Sequence, residues 1–141
     1  MSGEIKVVEK LPTVEKYQEL RRLVGWEKLD FEFAQKGLEN ALYTVSLLKG
    51  EEIIGCGRIV GDGAIYFYIQ DIIVSPRFQG MGFGARIMEK IMNYISENAG
   101  NNSFIGLMSA KGYANFYKKY GFAVRPDGRP GMFKMWKKDE S

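Results

Sequence analysis

Histidine is absent from this 141-residue chain, and cysteine occurs once, at Cys56. Without an imidazole there is no Ser–His or Cys–His nucleophile pair and no histidine-ligated metal. A single cysteine excludes an internal disulfide, which fits a reducing cytoplasm, and its β-rich surroundings favour a buried strand position. No apolar run approaches the ~20 residues of a membrane span, and no signal-peptide pattern opens the chain. We therefore expect a cytoplasmic protein without a membrane partner.

Strong charge of one sign is also lacking. The chain carries 20 Lys and Arg against 17 Asp and Glu, and no basic run is longer than two residues. This mild surplus suits a small anionic ligand, whereas recognition of nucleic acid needs basic side chains gathered on one face. We expect no nucleic-acid partner. The length fits one domain over residues 1–141.

Glycine, in contrast, is concentrated in the run Gln79-Gly80-Met81-Gly82-Phe83-Gly84. A β-branched stretch at 69–74 precedes it, and residues 85–97 follow with a helical apolar repeat. A glycine-rich turn between a strand and a helix directs backbone N–H groups at an anion, assisted by the helix dipole. The spacing matches neither the mononucleotide nor the dinucleotide phosphate loop. A pyrophosphate site is the favoured interpretation, and a simple chain reversal is the alternative.

Periodicity along the rest of the chain predicts one mixed α/β (α+β) unit, with antiparallel strands first and a crossover later. We expect a mostly antiparallel sheet of six to seven strands flanked by about four helices. The predicted strands cover residues 4–9, 41–48, 52–60, 64–74, 103–108, 122–124 and 132–136. The predicted helices cover residues 13–24, 31–40, 85–97 and 113–120.

This order of elements, with a Q-x-x-G-x-G loop between the fourth strand and a long helix, resembles the GNAT superfamily of acyl-CoA-dependent N-acetyltransferases. Residues 74–84 carry the resemblance, together with the F-Y-x-x-x-G-F pattern at 116–122. It covers nearly the whole chain and implies a small, single-domain, bacterial-type member. The implied activity is direct attack of a primary amine, on a small molecule or peptide, on acetyl-CoA in a ternary complex. No metal is implied.

The resemblance also implies where the acetyl-CoA lies. The sheet would splay between strands 4 and 5, and the pantetheine would fill the gap against backbone groups of Ile72, Ile73 and Val74. The pyrophosphate would lie on the glycine loop, beside Arg77 and Arg86, for which a solvated surface charge is the alternative role. The loop set is Gln79, Gly80, Met81, Gly82, Phe83 and Gly84. Tyr117 is assigned to the cofactor side as well.

The catalytic residues follow from the same resemblance. Tyr117 matches the tyrosine that protonates the departing thiolate, and a backbone N–H at Ile72 would polarise the thioester carbonyl. The general base stays open, because Gln70 stands where some relatives have glutamate and cannot accept a proton. Asp71 remains a candidate, although strand alternation directs it away from the face of Gln70 unless a bulge intervenes. Tyr68 would orient a water in the preferred alternative, a water chain that carries the proton to solvent.

The acceptor side is less specific. Arg58 either lines the acceptor site or pairs with Asp62 or Asp71. A strand at 132–136 would offer an exposed pairing edge, so a homodimer is an open alternative. The sequence does not specify the acceptor or whether acyl groups other than acetyl are used. The alternative function is that of a non-catalytic acyl-CoA-binding or sensing protein. Candidates for the acceptor wall are Trp26, Phe31, Phe33, Tyr43, Tyr66 and Tyr68.

Overall fold

The computed structural model describes residues 4–138, which divide into two units after Met108. The first unit contains the sheet and its helices, and the second contains one short helix. The prediction that residues 1–141 form one domain stays a prediction.

A five-stranded sheet organises the first unit, with its strands in the order β1-β2-β3-β4-β5. The pairs from β1 to β4 are antiparallel, and β5 lies parallel to β4. This mixed sheet confirms the predicted fold class. The strands are β1 Ile5–Val8, β2 Tyr43–Lys49, β3 Glu52–Gly61, β4 Tyr66–Val74 and β5 Phe104–Leu107.

The predicted count of six to seven strands was wrong for the part of the chain that the structure describes. Residues 122–124 and 132–136 have no strand conformation there. The aromatic and β-branched residues of these segments supply β propensity, but a strand also needs a ladder partner for its backbone groups. Met132 and Trp136 are instead largely exposed.

Helices cover both faces of the sheet. The apolar stripe of α3 (Phe83–Asn98) packs on one face, where Ile87 lies against Gly55 and Gly57 of β3. On the other face, Leu20 of α1 (Val14–Leu23) packs with Cys56 and Ile73. Next to α1 lies α2 (Phe31–Glu39), and α4 (Ala114–Lys118) belongs to the second unit. Cys56 is buried, as predicted.

The predicted splay between strands 4 and 5 is confirmed. Pairing of β4 with β5 runs only from Tyr66↔Phe104 to Ile69↔Leu107. Residues 70–74 of β4 therefore keep β3 as their strand neighbour on one side and, within residues 4–138, have no strand partner on the other. Half of β4 presents an open edge.

Candidate functional site

The chain leaves the open end of β4 through an anchored turn. The N–H of Ser75 donates to the carbonyl oxygen of Ile54 at 2.8 Å, and a 3₁₀ turn, Pro76–Phe78, follows. Phe78 is buried and packs edge-on against Phe83, with 6.4 Å between ring centroids. The side-chain amide of Gln79 donates to the carbonyl oxygen of Val74 at 2.9 Å. The predicted loop is thus tied back to the end of β4.

The glycine loop then leads into α3 with its backbone N–H groups unused. Gly80 (φ 79°) and Gly82 (φ 84°) both have left-handed backbone, and a Cβ on either would meet nothing within 4 Å. The first helical bond comes from Arg86, whose N–H donates to the carbonyl oxygen of Gly82 at 3.3 Å. Within the described chain, the six N–H groups from Gly80 to Ala85 donate to no other residue. With no acidic residue in the first turn of α3, the loop is arranged to bind an anion.

The basic side chains beside this loop lie on its surface. The Nη1 of Arg77 is 3.3 Å from the Oε2 of Glu52, and both side chains are largely exposed. An exposed ion pair of this kind contributes roughly 0–1 kcal/mol, so Arg77 can exchange it for another anion at little cost. The guanidinium of Arg86 lies over the ring of Phe83, 5.9 Å from its centroid. Met81 is exposed as well.

A β-bulge interrupts β4 where its open edge begins. Cys56 pairs with Ile73 and Arg58 with Gln70, so Gly57 alone faces both Asp71 and Ile72. Asp71 has a left-handed φ of 60°, which few residues other than glycine adopt.

The bulge decides which face each of its side chains occupies. Gln70 lies directly opposite Arg58, and its amide donates to the Oδ1 of Asp71 at 3.4 Å, so both side chains lie on the α1 face. Ile72 lies on the α3 face, where a Cβ added to Gly57 would come within 2.7 Å of its Cδ1. In a strand without a bulge, alternation would place Gln70 and Asp71 on opposite faces, as the sequence predicts. The bulge places both side chains on the same face.

Asp71 is the centre of a buried polar cluster. Its Oδ2 accepts a hydrogen bond from the hydroxyl of Tyr17 at 2.7 Å and from the Nε of Arg58 at 2.6 Å. Its side chain is only 1% exposed. The Sγ of Cys56 donates to its main-chain oxygen at 3.4 Å. Of the alternatives for Arg58, the structure shows the pairing with Asp71.

The pKa values of the cluster follow from burial and from the carboxylate. Burial first, and then the charge of Asp71, raises the pKa of Tyr17 to about 12. Burial likewise raises the pKa of the Cys56 thiol. Burial lowers the pKa of Arg58, but the hydrogen bond and charge of Asp71 outweigh it and raise the pKa. Tyr17 is therefore a neutral hydrogen-bond donor at physiological pH, and Cys56 is an unreactive thiol.

Tyr117 lies on α4 of the second unit, within an aromatic group. Its ring is edge-on to Phe116, with centroids 5.1 Å apart, and to Phe122, with centroids 6.5 Å apart. Burial, and then the neighbouring Tyr113, raises the pKa of the Tyr117 hydroxyl. The hydroxyl is thus protonated at neutral pH, as an acid has to be.

With this geometry established, a sequence comparison identifies the family. The profile of the acetyltransferase (GNAT) domain matches residues 40–124, which is more than half of the chain and includes β4, its bulge, the glycine loop, α3 and Tyr117. The chain belongs to the GNAT acetyltransferase family. The resemblance noted from the sequence is thereby confirmed.

Solved GNAT structures agree with this assignment. A protein of unknown function from meticillin-resistant Staphylococcus aureus, described as a probable acetyltransferase, is 37% identical with a TM-score of 0.89. That match covers 94% of this chain and 100% of the other. A GNAT family acetyltransferase from Streptococcus pneumoniae is 25% identical with a TM-score of 0.75, over 97% of this chain and 100% of the other.

A curated relative is longer than this chain. The uncharacterized N-acetyltransferase ycf52 of Pyropia yezoensis is 30% identical over 114 residues, which is 78% of this chain and 64% of that protein. The chain thus spans less than two thirds of the length of that relative.

Among the predicted acceptor-wall aromatics, several are already engaged or exposed. The hydroxyl of Tyr43 donates to the Oε2 of Glu9 at 2.9 Å, and its ring stacks on Tyr94 with centroids 5.0 Å apart. Tyr66 is exposed beside Phe104. Tyr68 is half-buried, and burial raises its pKa. The remaining members are exposed: Trp26, Phe31 and Phe33.

Tyr17 belongs to the Asp71 cluster of this GNAT chain, although no sequence pattern singled it out. Its ring lies on the buried, apolar face of α1. A signal for its second role was available, because a buried tyrosine needs a hydrogen-bond partner for its hydroxyl. Matching that hydroxyl with Asp71 or Arg58 would have pointed to the cluster.

Two further properties concern residues 4–138. No group of three His, Cys, Asp or Glu side chains in this range is placed to hold a metal ion. None of its helices is both long and apolar enough to cross a membrane.

Proposed function

We propose that this GNAT-family chain transfers an acetyl group from acetyl-CoA to a primary amine of a small molecule or peptide. The observation that carries the proposal is the set of unused N–H groups from Gly80 to Ala85 at the positive end of a 16-residue helix. The pyrophosphate of coenzyme A is an anion of the size such a loop binds, and the open space beside Gly80 and Gly82 lets it approach. Arg77 would leave Glu52 to pair with a phosphate.

The open edge of β4 supplies the second half of the cofactor site. In the part of the chain that the structure describes, residues 70–74 have no strand partner on that side. The backbone groups that point to this edge can therefore pair with the pantetheine amides as another strand would. Ile73 is buried in the core against the α1 face and pairs with Cys56 of β3, so its side chain does not face the cofactor site. Ile72 and Val74 are half-buried on the other face.

Direct attack by the amine nitrogen forms the new C–N bond and breaks the thioester C–S bond. The N–H of Ile72 would stabilise negative charge on the carbonyl oxygen, a contact typically worth ~3 kcal/mol. Tyr117 would give its proton to the departing thiolate. A water chain beside Tyr68 would accept the ammonium proton, because the carboxylate of Asp71 already accepts bonds from Tyr17 and Arg58.

A non-catalytic acyl-CoA-binding protein is the second candidate. Gln70 replaces the glutamate of some relatives, and the carboxylate of Asp71 is buried and engaged. No free carboxylate therefore remains at these two positions to act as the general base. This candidate shares the cofactor site with the first and differs only in turnover.

The setting in the cell belongs to the proposal as well. A cytoplasmic location, the absence of a nucleic-acid partner and a homodimer stay predictions, and one relative from Arabidopsis thaliana is named chloroplastic. A relative from Glycine max is named a histone acetyltransferase, which supports including peptide amines among the acceptors.

The deciding experiment measures binding and turnover on the same protein. Titration calorimetry with acetyl-CoA tests the site, and thiol release over a panel of amines, lysine peptides and aminoglycosides tests the activity. Acceptor-dependent thiol release supports the transferase. Tight acetyl-CoA binding without turnover on any acceptor supports the binding protein, and the absence of binding refutes both.

A further inference from the structure

We propose that Tyr17, Arg58 and Asp71 form a positioning device, here called the bulge lock, that aims the backbone N–H of Ile72 at the thioester. The inference rests on the proposed acetyl transfer, because it assigns the cluster a part in that reaction. None of its three side chains is proposed to touch the reacting atoms. Their effect is on the path of the β4 backbone.

The starting observation is the backbone of Asp71. A φ of 60° is unfavourable for a residue with a Cβ, although aspartate tolerates it better than most. Such a conformation persists only where the surroundings hold it, and it is concentrated at functional sites. Here it lies at the first residues of β4 that lack a β5 partner.

Two elements hold the side chain of Asp71, and a third holds its partner Arg58. Tyr17 reaches it from α1 and Arg58 from β3, and the Nη1 of Arg58 also donates to the carbonyl oxygen of Gly37 in α2 at 3.2 Å. The Arg58 side chain is 16% exposed and that of Asp71 is 1% exposed. The bulge is therefore anchored to both helices of the α1 face at once.

The opposite face holds the next residue. A Cβ on Gly57 would come 2.7 Å from the Cδ1 of Ile72 and 2.6 Å from the Cγ2 of Ile87. The side chain of Ile72 thus occupies the space that the missing Cβ leaves beneath α3. With Asp71 drawn to one face and Ile72 to the other, the peptide that joins them has little freedom to rotate.

Stability alone does not explain a buried charge cluster. Replacing a buried ion pair by apolar side chains of similar volume is often neutral or stabilising, because burial removes both charges from water. The position of the cluster suggests another benefit. Successive strand residues direct their N–H groups to opposite edges, so the extra residue decides which N–H groups beyond it face the open edge. Misplacement of a reacting geometry by about 1 Å costs a rate factor of ~100.

The experiment uses two substitutions that respect the left-handed backbone. Asp71→Asn keeps the shape and tolerates φ > 0, but it removes the charge, and Asp71→Gly keeps the backbone freedom but removes every side-chain anchor. We expect kcat to fall by up to ~100-fold in both variants, with the acetyl-CoA Kd within about threefold of wild type. The matched control is Asp62→Asn, whose carboxylate accepts three backbone N–H bonds in the β3–β4 turn. Its kcat should not change.

A second readout does not depend on turnover. In ¹⁵N-isoleucine-labelled protein, the amide signal of Ile72 should shift on titration with coenzyme A, and that shift should be altered in Asp71→Asn. Tyr17→Phe removes one donor and should give an intermediate effect on kcat. Ser103→Ala is its control, because it loses a hydroxyl bond to the carbonyl oxygen of Ala64 at the other end of the sheet.

The outcomes separate this inference from the proposed function. A wild-type protein with no turnover refutes the acetyl transfer, and the Ile72 amide then tests the bulge lock by itself. Unchanged kcat in folded Asp71→Asn and Asp71→Gly overturns the lock. The lock is also overturned if the fractional fall in kcat equals the fractional loss of coenzyme A binding sites, because the lower kcat would then reflect unfolded protein. An Ile72 amide that responds to coenzyme A in Asp71→Asn as it does in wild type also overturns it.

Discussion

Substitution of Gly82 by alanine separates the two demands on the glycine loop, its backbone conformation and its access to an anion. Gly82 is the N-cap of α3, with φ 84° and ψ 7°. Placing a Cβ on a left-handed residue costs roughly 1–2 kcal/mol. No neighbour lies within 4 Å of that Cβ, so strain is the only penalty in the free protein. We expect the free energy of unfolding to fall by about that amount.

The effect on cofactor binding should be larger. The Cβ would occupy the open space through which a phosphate has to approach the N–H groups of the loop. Loss of one hydrogen bond to a charged group costs about 1.5–3 kcal/mol. Since 1.36 kcal/mol corresponds to a factor of ten, we expect the acetyl-CoA KM to rise by roughly 10- to 100-fold. Saturating acetyl-CoA should restore most of kcat.

The control is Gly25→Ala, because Gly25 has nearly the same backbone (φ 82°) and equally open surroundings. It should lose the same ~1–2 kcal/mol of stability with no change in the acetyl-CoA KM. Urea unfolding measures the first quantity for both variants, and initial rates against acetyl-CoA concentration measure the second. An unchanged KM in Gly82→Ala, or an equal rise in Gly25→Ala, would refute the assignment of the pyrophosphate to this loop.

Three further predictions concern single side chains. Tyr117→Phe should lower kcat by ~100-fold or more with little change in KM, measured by steady-state thiol release, and full activity would mean that the thiolate leaves without an acid. Gly57→Ala should lower the free energy of unfolding by ~1–3 kcal/mol, because its Cβ would lie 2.6 Å from Ile87, and unchanged urea stability would contradict this. The raised pKa of Tyr17, about 12 against 10, means that the folded chain holds this proton more tightly than the unfolded chain. The hydroxyl of Tyr17 therefore contributes about 2–3 kcal/mol to the free energy of unfolding below pH 10, and this contribution is lost as the pH rises from 10 to 12. In urea unfolding at these pH values, Tyr17→Phe should lose less stability than wild type over the same range.

Local patterns predicted the elements that are specified by neighbouring residues. The strands expected at 41–48 and 52–60 and the helical repeat after the glycine loop appear where they were expected, as β2, β3 and α3. The strands expected at 122–124 and 132–136 do not form in the described structure, because the local pattern was not sufficient there. A strand requires a partner as well as propensity, and partners are a property of the whole fold. The same limit explains why the splay of β4 was reached through the family resemblance and not from periodicity.

The part of the candidate site that uses backbone groups was predictable from the sequence. The part in which side chains from different helices and strands contact each other was not. The loop from Gln79 to Gly84 was found from its composition, because glycine spacing and a following helix are local signals. The partner of Asp71 was left open because Tyr17 and Arg58 are 54 and 13 residues away from it in sequence. Periodicity assumes a regular strand, and a bulge breaks that assumption without any marker in the local sequence.

The environment of Asp71 changes what a carboxylate at this position can do. In a regular strand it would lie on the face opposite Gln70, away from the position of the glutamate that some relatives carry. In the structure it shares the face of Gln70 but is 1% exposed and already accepts bonds from a neutral tyrosine and a guanidinium. A group that took up the proton of the attacking ammonium would have to give up its pairing with Arg58, which would leave that buried cation without a counter-charge. We therefore propose that the proton leaves through water near Tyr68 and that Asp71 serves the proposed reaction by holding the strand.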